Sequence, residues 1–175
     1  IRLVHITYIS GLKMHPDFVS LCAGVSVPGI RFVVCGNGRA PYHIHEQASQ
    51  LGITDKFELC GYVEDIHSIL QVLDVYGYPL CEDNYSGSEL NLQEVMSAGI
   101  PSVVFRSGGV ASLVVNGFNG FVVSSPREYQ EAIEYLFHHP EERHRMGENA
   151  RFFARQMFSH AEAGNTFNTI YTKLL

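Results

Sequence analysis

Residues 102–123 read SVVFRSGGVASLVVNGFNGFVV. Two short apolar runs, Ser102–Phe105 and Gly120–Val123, flank a Gly108-Gly109 turn and a short helical stretch at Ala111–Val115. Runs that are apolar at every position, rather than at alternate positions, are typical of strands buried on both faces of a parallel sheet. This stretch therefore predicts a strand–helix–strand unit of an α/β fold.

The same alternation continues along the rest of the chain. It predicts further strands at 2–9, 31–35, 57–60 and 75–80, and helices at 16–25, 41–51, 66–73, 91–98, 127–138, 141–156 and 160–175. About six strands that alternate with helices predict a Rossmann-like, doubly wound parallel sheet with helices on both faces. Ligands of such sheets bind beyond the carboxyl ends of the strands, so we expect the functional residues in the loops that follow them.

Composition limits the class of protein. The chain has 175 residues, which fits one domain, and its 46% of apolar residues can form a core, which excludes disorder. Only 17% of the residues are charged, so we expect part of the surface to be covered by a partner. The net charge of −6 argues against nucleic-acid binding, and no apolar run approaches the roughly 18 residues of a membrane span. The opening IRLVHITYIS reads as a strand inside a longer protein.

Cysteine and histidine spacing argues against a metal site. Four cysteines are widely spaced, without a CxxC pair, and we expect them to be small core residues in a reducing compartment: Cys22, Cys35, Cys60 and Cys81. The nine histidines include no HExxH pair. We therefore expect a cytoplasmic protein without a bound metal.

Two of the loops at strand ends are ambiguous by themselves. Gly36-Asn37-Gly38-Arg39 follows the strand FVVC and is either a tight turn or part of a nucleotide pocket. It lacks the third glycine and the following acidic residue of a dinucleotide fingerprint, so an NAD-dependent oxidoreductase is disfavoured. In the second loop, Glu64 and Asp65 precede a helix and are either simple caps or site residues.

The third loop runs from Cys81 into a helix and is the most informative. Its main-chain amides at the start of the helix, together with the helix dipole, would bind an anion. Ser88 and Glu89 can cap that helix, and Glu94 lies one turn inside it on the face of Leu90. A phosphate on the amides with a sugar hydroxyl on Glu94 is one interpretation, and a capped helix with a solvated glutamate is the other.

Four collinear stretches resemble a known family. They are GYVEDIHSILQVLDVYGYPL, SGSELNLQEVMSAGIPSVVF, SGGVASLVVNGFNGFVV and HHPEERHRMGENARFFARQMFS. They look like the group 1 (family four) retaining glycosyltransferases of the GT-B fold, and more closely like a polysaccharide-building subgroup. The resemblance implies that residues 1–175 form the C-terminal, donor-binding domain of a two-domain enzyme. The helix over 160–175 would then pack either on this domain or across the N-terminal one.

The resemblance also implies site residues. Gly36 and Gly38 would line the nucleotide pocket, and Val63 would meet the base through its backbone. Lys13 would neutralise the diphosphate, and Glu94 would bind the ribose hydroxyls. The phosphates would be held at the start of the helix, by the residues Ser88, Leu90, Asn91 and Leu92. Because Lys13 and the helix dipole neutralise the diphosphate, no metal or other cofactor is expected.

The chain departs from the family pattern at three positions. Ser86 stands where the first glutamate of a two-glutamate motif is expected, Tyr8 where an arginine is expected, and Ser112 where a glutamate is frequent. Glu89 or Glu82 would replace the first glutamate. We favour Glu89, with Lys13, as catalytic, although Glu89 could be only a helix cap.

The resulting functional prediction is the donor half of a hexosyltransferase. The whole enzyme would transfer a hexose with retention to a polysaccharide or lipid-linked acceptor, with UDP-glucose as the first candidate donor and GDP-mannose not excluded. This domain alone would bind donor and be inactive or only weakly hydrolytic. Its partners would be its own N-terminal domain and a second copy in a homodimer, and the enzyme would lie in the cytoplasm or at the inner face of the membrane. The alternative is a nucleotide-sugar-binding or scaffold module with impaired catalysis.

Overall fold

The computed structural model describes residues 2–6, 14–36, 40–81 and 89–174, without the side chains of 2–6, 40 and 160–163. Six strands form one sheet: β1 (Arg2–Ile6), β2 (Arg31–Cys35), β3 (Phe57–Gly61), β4 (Val75–Tyr78), β5 (Ser102–Phe105) and β6 (Gly120–Val123). Eight helices are described: α1 (Phe18–Ala23), α2 (Ala40–Gln50), α3 (Ile66–Leu70), α4 (Leu90–Ala98), α5 (Val110–Leu113), α6 (Pro126–His138), α7 (Pro140–Met157) and α8 (His160–Leu174). A 3₁₀ helix spans Thr54–Lys56.

The strand order is β3-β2-β1-β4-β5-β6, and every neighbouring pair is parallel. This is the order of the doubly wound nucleotide-binding fold, in which the direction of winding reverses once, here between β1 and β4. The predicted Rossmann-like α/β class is therefore confirmed.

Successive strand residues face two separate cores. On β5, Val103 packs into one core and Val104 into the other. Helices α1, α2 and α6 cover the first face, while α3, α4, α5 and most of α7 cover the second. Because both faces are covered by helices, all four residues of SVVF are buried, and three of them in succession are apolar, which explains the sequence pattern.

Most predicted boundaries differ from the observed ones by a few residues. The strands at 31–35, 102–105 and 120–123 were predicted with the bounds that the structure has. Helix α1 begins at Phe18 rather than at Pro16, because Pro16 lies in a turn in which the Phe18 amide donates to the His15 carbonyl. The predicted continuation of β1 over 7–9 falls outside the described residues.

The cysteine prediction is correct for two residues and wrong for one. Cys22 and Cys35 are buried, and Cys81 is half-buried. Cys60, which was expected in the core, is exposed, because β3 is an edge strand whose residues alternate between half-buried and exposed.

Helix α4 is fixed against α7 by a close approach of backbones. A Cβ at Gly147 of α7 would lie 2.2 Å from the carbonyl oxygen of Gly99, which ends α4 in a left-handed conformation with φ of 81°. Arg151 donates to the Ala98 carbonyl at 2.7 Å and places a cation at the negative end of the α4 dipole. The carboxyl end of α4 is thus held in place, which fixes the direction of its amino end.

Helix α8 is exposed along its described length. Four apolar residues at helical spacing lie in solvent on it: Phe167, Ile170, Tyr171 and Leu174. Their spacing of three and four residues makes one continuous apolar stripe. No helix in the described part of the chain is both long and apolar enough to cross a bilayer.

Substitution of Gly147 by alanine tests the close contact of α4 with α7. The new methyl group must displace the Gly99 carbonyl, whereas at Gly164 on α8 nothing lies within 4 Å of an added Cβ. Alanine is intrinsically the better helix former at both positions. We expect the free energy of unfolding, measured with urea, to be about 2 kcal/mol lower for Gly147→Ala than for Gly164→Ala. Equal values for the two variants would show that the backbones do not approach this closely.

Candidate functional site

The carboxyl ends of all six strands lie at one edge of the sheet, and the reversal between β1 and β4 opens a crevice there. The chain that leaves β1 returns to this place. Met14 forms an antiparallel bridge with Leu80, and the His15 amide donates to the Pro79 carbonyl at 2.9 Å. The segment that precedes α1 is therefore held beside the end of β4, at the crevice where the fold predicts a ligand.

Helix α4 begins at this edge. Its first helical hydrogen bond joins the Gln93 amide to the Glu89 carbonyl at 3.1 Å, so the amides of residues 90–92 precede the bonded part of the helix. Leu92 is completely buried and anchors this turn, while Leu90 is 64% exposed. Amides at a helix start and the positive end of the helix dipole together attract an anion.

Glu94 lies one turn further along α4 than Leu90, and both residues are exposed. The prediction that these two residues share an accessible face is therefore confirmed. A ligand held at the first turn would lie within reach of the Glu94 carboxylate, since residues four apart on a helix are neighbours.

Glu89 does not cap α4. It occupies the N-cap position, but its side chain accepts no hydrogen bond from a helix amide. Glu89 is instead buried, with a relative exposure of 5%, and the Tyr78 hydroxyl donates to its Oε2 at 2.5 Å. The interpretation of Glu89 as a simple helix cap is therefore wrong.

The two carboxylate oxygens of Glu89 differ in their hydrogen bonding. Oε1 is buried and has no hydrogen-bond partner among the described residues. Burial and the hydrogen bond to Glu89 raise the pKa of Tyr78 well above its ordinary value, so the phenol keeps its proton and remains a donor. A buried carboxylate that lacks a partner for one oxygen costs about 1–3 kcal/mol, which a hydroxyl group of a ligand would offset.

The ends of β2 and β3 are joined by a main-chain hydrogen bond. The Gly36 amide donates to the Gly61 carbonyl at 2.6 Å, and both glycines have positive φ, 142° and 66°. Val63 is half-buried and packs against the core on the α4 side of the sheet, which fixes the backbone at this position. Two of the three predicted nucleoside contacts, Gly36 and Val63, thus belong to neighbouring strand ends.

The loop before α3 contains a simple cap. Asp65 Oδ1 accepts a hydrogen bond from the His67 amide at 3.1 Å, which confirms the N-cap interpretation of Asp65. Ser112, at a departure from the family pattern, is exposed and donates to the Gly109 carbonyl at 2.6 Å, so it stabilises a turn.

Several predicted residues fall outside the described part of the chain: Tyr8, Lys13, Gly38, Glu82, Ser86 and Ser88. Their roles stay predictions, as do those of Gly36, Val63, Leu90, Asn91, Leu92, Glu94 and Glu89. Among the described residues no group of three histidine, cysteine or acidic side chains could hold a metal ion.

Two polar residues at this edge were not predicted from the sequence. Tyr78 donates to Glu89, and Ser107 follows β5 with a buried hydroxyl that has no hydrogen-bond partner within the described ranges. The signal for Tyr78 was present, because a tyrosine at the last position of a short buried strand has a hydroxyl that needs a partner.

The fold and this edge define a doubly wound α/β domain with an anion-attracting helix start at its switch point. The chain belongs to the family described as glycosyl transferases group 1, whose family model matches residues 6–153. One curated relative is the alpha-D-kanosaminyltransferase of Streptomyces kanamyceticus, 28% identical over 148 residues, which cover 82% of this chain and 38% of that protein. The chain spans about two fifths of the length of the first curated relatives it matches.

Solved structures share the fold. HepE of Anabaena in complex with UDP has a TM-score of 0.88 and 20% identity, over 98% of this chain and 48% of that one. HepE is also described in complex with UDP-glucose. The C-terminal domain of a group 1 family protein from Francisella tularensis has a TM-score of 0.76 and 17% identity, over 91% of this chain and 86% of that one. These neighbours confirm the GT-B type of Rossmann-like fold.

The contribution of Tyr78 can be isolated with a matched pair of variants. Tyr78→Phe removes the hydrogen bond to Glu89, whereas Tyr129→Phe removes a buried hydroxyl to which no described residue is hydrogen-bonded. We expect Tyr78→Phe to lower the free energy of unfolding by about 1–3 kcal/mol and Tyr129→Phe to leave it unchanged or to raise it.

The loss of stability in Tyr78→Phe should depend on pH in a defined way. The pKa of Tyr78 is raised in the folded state. The contribution of the Tyr78 hydroxyl to the free energy of unfolding is therefore fully present below the pKa of about 10 in the unfolded chain, and it is lost as the pH rises above that value towards the pKa in the folded protein. In urea unfolding, the free energy of unfolding of Tyr78→Phe should therefore lie below that of the wild type by a constant amount from neutral pH to about pH 9. The difference should become smaller at higher pH. An equal loss in both variants would contradict the role given to this hydrogen bond.

Proposed function

We propose that this chain is the donor-binding domain of a retaining hexosyltransferase that uses a nucleoside diphosphate sugar. The observation that carries the proposal is the buried Glu89 carboxylate at the amino end of α4, one oxygen of which has no partner in the described part of the chain. One turn along the same helix lies the exposed carboxylate of Glu94. Membership of the glycosyl transferases group 1 family supports the activity, and the UDP and UDP-glucose complexes of HepE support a UDP-hexose donor.

The proposed division of roles follows the edge of the sheet. Gly36, Gly38 and Val63 contact the nucleoside, and Glu94 accepts hydrogen bonds from the ribose hydroxyls. The diphosphate is held by Lys13 and by the start of α4, through Ser88, Leu90, Asn91 and Leu92. As the bond to the sugar breaks, negative charge develops on the diphosphate, and main-chain amides that are already oriented stabilise it.

Glu89 would act on the sugar rather than on the nucleotide. A buried carboxylate beside the anomeric carbon stabilises the positive charge that develops there, and its unpartnered Oε1 is free to meet the sugar. Tyr78 would be a positioning residue, since it holds Oε2. Glu82 remains the alternative to Glu89. In this arrangement Lys13 and the helix start neutralise the diphosphate without a metal ion.

The acceptor is proposed to be a growing polysaccharide or a lipid-linked saccharide, bound by a separate N-terminal domain. The partial coverage of the relatives supports a second domain, because the chain spans about two fifths of their length. The apolar stripe on α8 supports a contact of residues 160–175 with that domain. The homodimer and the location at the inner face of a membrane stay predictions.

Loss of the Glu94 carboxylate should weaken UDP binding. In a calorimetric titration of this chain, we expect Glu94→Ala to reduce UDP affinity roughly tenfold or more, because hydrogen bonds between a charged group and two hydroxyls are lost. A preference of the wild type for UDP over GDP would identify the base.

Two controls make this test specific. Glu141→Ala, at an exposed position of α7, should bind UDP as the wild type does. A UDP analogue without ribose hydroxyls should bind the wild type and Glu94→Ala equally. If Glu94→Ala weakened the analogue as much as it weakened UDP, Glu94 would not contact the ribose.

The role of Glu89 separates a working enzyme from an impaired module. Glu89→Gln keeps an acceptor for the Tyr78 hydroxyl and removes the charge. In the complete enzyme we expect this variant to lower hexose transfer about 100-fold, while UDP affinity changes less than about twofold. Full transfer by Glu89→Gln would overturn the catalytic role. A complete wild-type protein that binds UDP and transfers nothing would instead support the scaffold alternative.

A further inference from the structure

Two cysteines lie side by side at the ends of neighbouring strands. Cys35 is the last residue of β2, and its register partner on the parallel strand β3 is Gly61, the residue after Cys60. Cys35 belongs to the core on the α4 side of the sheet. On β3, Phe57 and Leu59 pack against the opposite core, so Cys60 between Leu59 and Gly61 faces the same side as Cys35.

The distances allow a covalent bond between these cysteines. The register shifts between Val34 and Cys35, so Cys60 is the extra residue of β3 opposite this step, directly before Gly61. With strands about 4.8 Å apart and a rise of about 3.3 Å per residue, the Cα atoms of Cys35 and Cys60 lie about 5–6 Å apart, within the about 4.4–6.8 Å that disulfides need. Both thiols are free, and the Cys60 Sγ donates to the Glu58 carbonyl at 3.9 Å. No comparable pair exists elsewhere among the described cysteines, since Cys22 lies in the other core and Cys81 follows β4.

The two thiols have different environments. Cys35 is 3% exposed, and burial, together with the neighbouring Cys60, raises its pKa to about 12. Cys60 is exposed to solvent. An oxidant from solution therefore reaches Cys60 first. The buried Cys35 thiol keeps its proton until the neighbouring Cys60 sulfur has been oxidised.

We propose that Cys35 and Cys60 are a reversible oxidation site for peroxides, placed directly beneath the candidate nucleotide pocket. The Cys60 sulfur attacks one peroxide oxygen, which forms a sulfenic acid and releases water. The Cys35 sulfur then displaces the hydroxyl group of that sulfenic acid, and its proton leaves with the hydroxyl as a second water. The thiol pair loses two electrons, the peroxide gains them, and a dithiol reductant restores the pair.

The position of the pair connects it to nucleotide binding, and this part rests on the proposed function. Gly36 follows Cys35, Gly61 follows Cys60, and the Gly36 amide donates to the Gly61 carbonyl. An S–S bond of about 2.05 Å is shorter than any contact between two thiols, so the disulfide draws these strand ends together. The backbone that would contact the nucleoside moves with them.

The test is oxidation of this chain by hydrogen peroxide, followed by mass spectrometry of the peptides. We expect a Cys35–Cys60 disulfide in the wild type and in the control Cys81→Ser, and none in Cys60→Ser or Cys35→Ala. The exposed position of Cys60 makes Cys60→Ser the variant that keeps the fold. Treatment with dithiothreitol should restore both thiols.

UDP titration of the oxidised and reduced chains forms the second measurement. We expect oxidation to weaken UDP binding about fivefold or more in the wild type and in Cys81→Ser, and to leave Cys60→Ser unchanged. Absence of the disulfide would overturn the oxidation site, and a disulfide without an effect on UDP would overturn its link to the pocket. A reduced chain that does not bind UDP would contradict the proposed function, while the mass measurement would still decide the oxidation site.

Discussion

The site depends on one constraint, which is that all six strands run in the same direction and are covered by helices on both faces. Burial of both faces leaves no surface of the sheet itself for polar chemistry. Because the strands are parallel, their carboxyl ends meet at one edge, and the reversal between β1 and β4 separates the connections that would otherwise fill it. Helix α4 begins at that point, and its dipole makes the crevice favourable for an anion. The topology therefore places an anion-attracting crevice at this edge before any single side chain is considered.

Burial of the Glu89 carboxylate has a free-energy cost that other interactions in the fold must offset. Removal of a carboxylate from water is costly unless its oxygens find donors, and of the described residues the Tyr78 hydroxyl donates to it. The positive end of the α4 dipole offsets part of the remainder, because Glu89 occupies the N-cap position. The arrangement persists because α4 cannot move away, since Gly147 and Arg151 of α7 hold its far end. A rigid helix with a partly compensated charge at its start suits a site in which the ligand supplies the missing partner.

The sequence predicted those parts of the fold that local pattern decides. The strand Ser102–Phe105 is a continuous apolar run between a proline and an arginine, so its bounds could be read directly. Cys60 could not be placed, because the exposure of β3 depends on its position at the edge of the sheet, which the order of elements along the chain does not reveal. The helix start at α4 was predicted from polar residues followed by helical spacing. The contact of Tyr78 with Glu89 was not, since it joins residues eleven positions apart and needs the tertiary position of both.

The outer edge at β6 is partly closed by hydrogen bonds from its own loops and from the start of α6. The outward-facing Val122 amide donates to Asn116 Oδ1 at 3.0 Å, and the Ser124 amide donates to Glu128 Oε2 at 2.8 Å. The Gly120 carbonyl accepts from the Gly117 amide at 2.9 Å. Polar groups that are already bonded make this edge a poorer template for a further strand, which protects it from edge-to-edge pairing. The protection matters because the reversal between β1 and β4 lies at the centre of the sheet, with three strands on either side of it.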